Sequence, residues 1–541
     1  MKKKIIIAIS GIAVLGLGAL FYVYMTFFNG TDFSKNVPKN AIMVMKVDLM
    51  GMGKKINLKE ASESKVFRKE VLENLKSSQK EVLEKVMENP TKSGLQLASK
   101  PTLFLYNHAK DEEEAVMGFI FGISDKKNFS DFIEKMSKDI TVKEPDQDGF
   151  YSANLSSEKF VLYFNDKVGV ILLDIDNKSI ALKRVRDEIL TLDKNNSILS
   201  NDDYNALNKQ TNDMMVYFNG SELAKVLEIN KIEVNDQMKN TMKSIPYAMT
   251  LNFNEDAISM KMFGSKSKDA ATAIYNESGF TESELKNIDP KGSPLAYFTM
   301  NLNVKKVLNL INDQASTNIE IANFFNQVEN LAMQLNIPKE NLLNVFDGKM
   351  SLSFSGLKPA NFSDSSLIYQ PAVPFINGWA HLGNKEAATK LLDLMVTGGV
   401  LDNKDGIYAE KTFQRTPSVF IAIKGNDFYI STQEENIQSK LKGGDWNALK
   451  EDYGKKDVLA KSATVYADLR YSSYESLLKS NLNQNELEAM NKFKNILSSF
   501  KSVSITGNSN EAEMIIQFSE KKTNSLQRII ELLQEAYRLT S

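Results

Sequence analysis

Apolar positions along this chain recur with two periods that alternate. Short runs with apolar side chains alternating or continuous read as strands. Four of them open similar phrases: "AIMVMKVDLMGMGKKI" from Ala41, "MMVYFNGSELAKVLEI" from Met214, "LAYFTMNLNVKKVLNLI" from Leu295 and "ATVYADLRYSSYESLL" from Ala463. Each run ends at an Asp or Asn, namely Asp48, Asn219, Asn301 and Asp468, whose side chain can accept from the free N–H groups opening a helix. Helical spacing follows in three phrases: Leu223, Val226 and Leu227; Val304, Val307 and Leu308; Tyr474, Leu477 and Leu478. The first phrase carries two glycines instead and predicts a poor helix.

Other runs pair as hairpins, with turns at Asn165-Asp166 and Gly425-Asn426. Longer helical stripes lie over 65–87 (Phe67, Val71, Leu75, Val82, Val86), over 319–335, and at the C-terminus through Leu526, Ile529, Ile530, Leu533 and Tyr537. Matching features recur in one order: Asp48 with Asn301, Gly118 with Gly378, Gly149 with Gly406, Asn219 with Asp468 and Phe263 with Phe518, at offsets of 249 to 260 positions. The expected architecture is therefore α+β: an N-terminal transmembrane helix, then two tandem homologous lobes over 37–280 and 288–541. Each lobe is expected to be a mainly antiparallel sheet with helices packed on one face.

The membrane expectation rests on residues 1–30. Lys2, Lys3 and Lys4 precede 24 uncharged residues, Ile5 to Phe28. At about 1.5 Å per residue that run crosses a hydrocarbon core of roughly 30 Å. Its distal end, "ALFYVYMTFF", is bulky and aromatic, suiting an interfacial belt better than a peptidase site. This predicts a retained signal-anchor: inner membrane, N-terminus cytoplasmic, the bulk of the chain periplasmic.

Composition narrows the chemistry. Formal net charge is −2 with no basic stripe, which sets nucleic acid aside. There is no cysteine, so disulfides, thiolate nucleophiles and sulfur metal sites are excluded, as is a lipid-bearing cysteine. Two histidines, His108 and His381, make a multi-histidine metal site improbable.

The layout resembles a family of uncharacterised Bacteroidetes envelope proteins, a domain of unknown function. The matching stretches are "VPKNAIMVMKVDL", "GLQLASKPTLFLYNH", "MGFIFGISDKKNFSDFIEKM" and "DGFYSANL" with "VLYFNDKVGVILL". Many relatives look like lipoproteins, and this chain departs from them in lacking cysteine. The resemblance implies an envelope setting and supports the fold, without a reaction, ligand or catalytic residue.

Motifs for catalysis fall short. Ser-x-x-Lys occurs at Ser62/Lys65, Ser77/Lys80, Ser124/Lys127 and Ser265/Lys268, but no Lys-Thr-Gly accompanies it and no Gly-x-Ser-x-Gly exists. The acidic stretches 110–115, 144–149 and 401–406 lack the oxygen-ligand register of a calcium loop and read as solvated turns. "MGMGKK" at 50–55 lacks phosphate-loop spacing. Trp379 and Trp446 read as packing residues. The sequence assigns no catalytic, cofactor-binding or metal-ligating residue and implies no cofactor.

Three readings remain open. The favoured one is a membrane-anchored periplasmic module, not an enzyme, that binds or scaffolds another envelope protein and meets the inner membrane through residues 5–28. A second is a carrier of an apolar ligand or lipid, sheltered by residues such as Phe324, Phe325 and Leu331. A third is a carboxylate-based envelope hydrolase.

Overall fold

The computed structural model describes residues 31–540 apart from 57–89, 97, 108–114, 137–139, 155–159, 176–180, 230–246, 264–273, 316–317, 359–360, 364–367, 371–372, 412–418, 482–483, 510 and 521–522. The expected membrane segment 5–28 and the expected helix 65–87 lie outside the described residues. The chain divides into two compact units, one made of Met1–Ser267 with Glu520–Ser541, the other of Lys268–Ser519.

In the first unit, antiparallel pairing sets the order Val142–Lys143, Tyr151–Asn154, Phe160–Phe164, Val168–Asp174, Ala115–Gly122, Thr102–Asn107, Ala41–Val47, Met214–Phe218, Tyr247–Phe253, Ala257–Phe263. In the second unit the order is Leu401–Lys404, Ile407–Glu410, Phe420–Lys424, Asp427–Ser431, Val373–Leu382, Phe346–Lys358, Ala296–Asn301, Ala463–Asp468, Phe500–Gly507, Glu511–Phe518. Place by place, the chain connectivity is the same. The five sequence correspondences at 249 to 260 positions each fall on, or directly beside, strands holding the same place in the two orders.

The expected fold class needs correction on three points. No helix of the described residues is long and apolar enough to cross a membrane. The units are not two consecutive lobes, because the last helix, Ser525–Thr540, belongs to the first unit. Leu526 is buried in that unit's core with Ile529 and Ile530 packed beside it, and Asn524 donates to the carbonyl of Phe253 at 2.9 Å. Helices also cover both faces of the sheet, not one.

The reason for the third point is visible in the strands. Thr102–Asn107 places Phe104 and Tyr106 on one face and Leu103 and Leu105 on the other, so both faces are apolar and both need cover. Leu182, Val185 and Ile189 of helix Leu182–Leu190 pack with Phe104, Tyr217 and Leu172 on the first face. Phe129 of helix Lys126–Met136 and Leu526 pack with Phe121 and Phe164 on the second. In the second unit, Tyr297, Trp379, Tyr429 and Tyr466 face a core completed by Phe280, Ile288 and Trp446. On the reverse face, helix Lys385–Thr397 packs through Ala387, Ala388 and Leu392 near Ile423 and Phe428.

The expected caps are partly displaced. Asp48 accepts from the Gly51 amide at 2.8 Å and opens the short helix Leu49–Gly53. Asn219 accepts from Glu222 N at the start of Gly220–Ile229. Asn301 instead donates to the carbonyl of Ser278, and the cap of helix Val304–Gln314 is Asn303, two residues on. Asp468, fully buried, accepts from the Arg470 amide at 3.0 Å, from the Arg470 guanidinium and from the Ser473 hydroxyl.

Candidate functional site

The first unit opens a cleft of about 800 Å³ at one end of its sheet. Its walls come from five separated stretches: Pro38–Asn40, Tyr106, the end of helix Leu182–Leu190 with the turn after it, Ser200–Asp203, and Asn219 with Glu222. Local chemistry fixes each wall. Asp193 accepts from the amides of Asn195 (2.8 Å) and Asn196 (2.9 Å), which closes the turn. These bonds, the Asn196 amide foremost, hold its carboxyl below the ordinary aspartate range. Asn201 caps the helix Asp202–Asn208 through the Tyr204 amide at 2.9 Å, and its own amide donates to the Tyr217 hydroxyl at 2.8 Å. Asp202 and Asp203 therefore occupy the first helical turn, where the helix dipole favours a carboxylate, and both are exposed.

The lining is one-sided in charge. Glu188, Asp193, Asp202, Asp203 and Glu222 line it against a single base, Lys39. Glu188 and Glu222 have helical partners in Arg184 (3.4 Å) and Lys225 (2.9 Å). Beneath them the Tyr106 phenol is buried, which pushes its ionisation upward, with Glu188 nearby adding to the effect. The remaining lining, Asn40, Asn196, Asn219, Ser200 and Thr191, supplies amides and hydroxyls. Such a surface attracts cations and offers many hydrogen-bond acceptors. Its one central serine, Ser200, donates to the carbonyl of Ser197 at 2.9 Å. Among the described residues no three His, Asp or Glu side chains are placed to share a metal ion.

The motifs weighed in the sequence are scattered. His108 lies outside the described residues, as do Ser62/Lys65, Ser77/Lys80, Ser265/Lys268 and most of 110–115. Ser124 donates to the carbonyls of Gly94 (3.2 Å) and Leu95 (3.0 Å) and serves the backbone. His381 is half-exposed, its Nδ1 2.5 Å from Asp347 Oδ2. Trp379 and Trp446 are buried against Phe280 and Tyr429 at ring distances of 5.6 and 5.8 Å. In the turn of 401–406, Asp405 and Gly406 both have positive φ (54° and 82°), the geometry of a tight hairpin.

The stretch 144–149 is not a merely solvated turn. Arg186, wholly buried, reaches into it: Nη1 lies 2.6 Å from Asp146 Oδ2 and Nη2 lies 3.3 Å from Asp148 Oδ2. Asp187 also receives the guanidinium. Phe150 and Tyr163 stack on it at 4.4 and 5.0 Å. This is a structural clamp, and sequence spacing alone did not disclose it.

Among the described residues, fold and cleft together define a protein of two compact units, each built on ten antiparallel strands paired in one order and packed with helices, the first bearing an open acidic cleft. The chain belongs to the family described as a domain of unknown function (DUF4836), whose model matches residues 33–526. No functionally curated protein matches the sequence. Among solved structures, crystal form IV of TP0453 aligns at 11% identity and a TM-score of 0.26, over 42% of this chain and 79% of that one. Crystal form I of TP0453 aligns at 9% and 0.25, over 44% and 81%. At those scores the likeness carries no argument.

Proposed function

We propose that the protein is a binding module of the bacterial cell envelope that engages a basic segment of another envelope protein through the acidic cleft of its first unit. The observation that carries this is the imbalance of the lining, five carboxylates to one lysine, in a cleft of about 800 Å³. Asp202 and Asp203 are the residues most available to a partner, since neither has an ion-pair partner among the described residues. A cleft of this sign attracts a positive partner before contact, and that attraction weakens with salt. The lysines and uncharged run of residues 2–28 support attachment to the inner membrane, with the units on the periplasmic side. The resemblance to Bacteroidetes envelope proteins supports the same setting.

The test is photo-crosslinking in the native host from Thr191 and Ser200 of the full chain, followed by identification of what is captured. A single stoichiometric partner, weakened by salt and lost in the D202N/D203N variant, is the expected result. Capture unaffected by the double substitution or by salt refutes the reading.

A further inference from the structure

The first unit takes hold of the chain very soon after the uncharged run. Phe28 ends that run, and Asp32, four positions on, is already tied into the fold. The Lys100 amide donates to the Thr31 carbonyl at 3.0 Å, and Asp32 bridges Lys100 in parallel. The Asp32 carboxylate accepts from the Ser34 amide (2.9 Å), the Ser34 hydroxyl (2.6 Å), the Lys46 ammonium (2.9 Å) and the Asn208 amide (3.2 Å). Lys46 is buried and donates also to Ser34 (3.2 Å) and to Asn208. Behind them the Tyr204 hydroxyl lies 2.7 Å from Ser34 Oγ. None of these residues lines the cleft. Held in this knot, Asp32 has one position relative to the sheet.

That position is at the other end of the central strands from the cleft. In strand Ala41–Val47 the cleft residue Asn40 precedes the first position, while Lys46 pairs with Thr102 near the last. In the neighbouring strand Met214–Phe218 the cleft residue Asn219 follows the last position, at the Ala41 end. Seven residues at about 3.3 Å each set the two ends about 20 Å apart. Beside Asp32 stand Lys100, bonded to Thr31, and Lys209, which follows Asn208. Lys209 is exposed, and Lys100 is 40% exposed with Asp48 at 3.7 Å. Four residue steps span at most about 14 Å. The headgroup layer on one side of a bilayer is about 5–8 Å deep. Given the membrane attachment through residues 5–28 proposed above, on which this inference rests, Asp32 lies within about 10 Å of the outer limit of the headgroups. We infer that the end of the first unit around Asp32, Lys100 and Lys209 rests on phospholipid headgroups, its two lysines on lipid phosphate, with the acidic cleft turned away from the bilayer. The cleft carboxylates are thereby kept from the phosphates that would repel them. The basic partner then reaches the cleft from the periplasmic space and not along the membrane surface.

The chain has no cysteine, so single fluorescent labels can be placed in the full protein. Bimane is attached in turn to K100C, K209C, T191C and E222C in phosphatidylcholine nanodiscs, with and without a phospholipid bearing a nitroxide on its headgroup. The nitroxide should quench emission at positions 100 and 209 at least three-fold more than at 191 and 222. A twelve-residue Gly-Ser insertion after Phe28 should bring the four positions level, because the short reach sets the orientation. Lys209 and Thr191 are both exposed, so K209C and T191C carry the comparison should a change at Lys100 or Glu222 disturb folding. Equal quenching at all positions, stronger quenching at 191 and 222, or a difference that survives the insertion overturns the inference and leaves the attachment standing. Labelled chain that separates from the discs on a sizing column overturns the attachment, and the inference with it, before any quenching is read.

Discussion

Replacing Arg186 with methionine tests the physical account of the first unit most directly. The guanidinium is fully buried, yet its acceptors are not: Asp146 is 25% and Asp148 55% exposed. Breaking a buried ion pair costs about 3–5 kcal/mol when a charge is stranded. Here water can reach the abandoned carboxylates, so the loss falls at the lower end. The stacking on Phe150 and Tyr163 adds about 1 kcal/mol, part of which the methionine side chain restores. The expected total is about 3 kcal/mol. A pH signature goes with it. Burial pushes the Asp146 carboxyl up, but the Arg186 hydrogen bond and the amides of Phe150 and Asp148 outweigh it and hold it at about 2. A carboxyl depressed on folding contributes stability above its unfolded value, near 3.8, and loses it as pH falls towards 2. The gap between parent and R186M should therefore narrow from pH 5 to pH 3. Urea unfolding of the full chain in mild detergent, followed by far-UV circular dichroism, measures it. Both tryptophans belong to the second unit, so their fluorescence supplies that unit's reference. A variant within 0.5 kcal/mol of the parent at pH 7, or a gap unchanged at pH 3, refutes the clamp.

Lys440 is buried beneath Tyr429 and Trp446, and desolvation lowers its pKa to about 8 despite Asp445 and Asp427 nearby. Its folded value lies below the unfolded 10.5, so the buried ammonium opposes folding at pH 7, and that opposition is relieved as pH rises from 8 to 10.5. Tryptophan emission should titrate with a midpoint near 8 and lose that step in K440M. Gly94→Ala should cost more than about 3 kcal/mol, because φ is +72° and the added Cβ would sit 2.2 Å from the Asp125 carbonyl oxygen; thermal unfolding checks it. His381→Gln should leave partner capture at the cleft unchanged in the crosslinking assay, since its contact is with Asp347 in the other unit.

Local elements were readable where apolar period and turn residues agree. The hairpins at Asn165-Asp166 and Gly425-Asn426 form as spacing implies, and helix Ile319–Leu335 keeps its expected limits. The C-terminal stripe is rotated at its far end: Leu532 is buried, whereas Leu533 is 56% exposed. The cleft was not readable because its walls come from five separated stretches. Only "NDDYNALN" carried a signal, an Asn cap followed by two acids. Arg186 escaped for a similar reason. Nothing in "KRVRDE" distinguishes the arginine that turns inward from its neighbours, and Asp146 stands forty residues away.

The first unit is closed by a helix, Ser525–Thr540, that the ribosome makes only after the whole of the second unit. While the chain emerges, residues up to 267 must wait, with Phe121, Phe164 and Phe253 short of their Leu526 contact, until everything through 540 has been made. The second unit has no such wait, because all of its sequence arrives in one piece. The nascent protein therefore spends its most vulnerable interval with the earlier half open and the later half complete, an inversion of the usual vectorial order. Loss of residues 525–540 leaves the second unit whole and the first unclosed. A cut after residue 519 would in this way govern a cleft whose walls begin at Pro38.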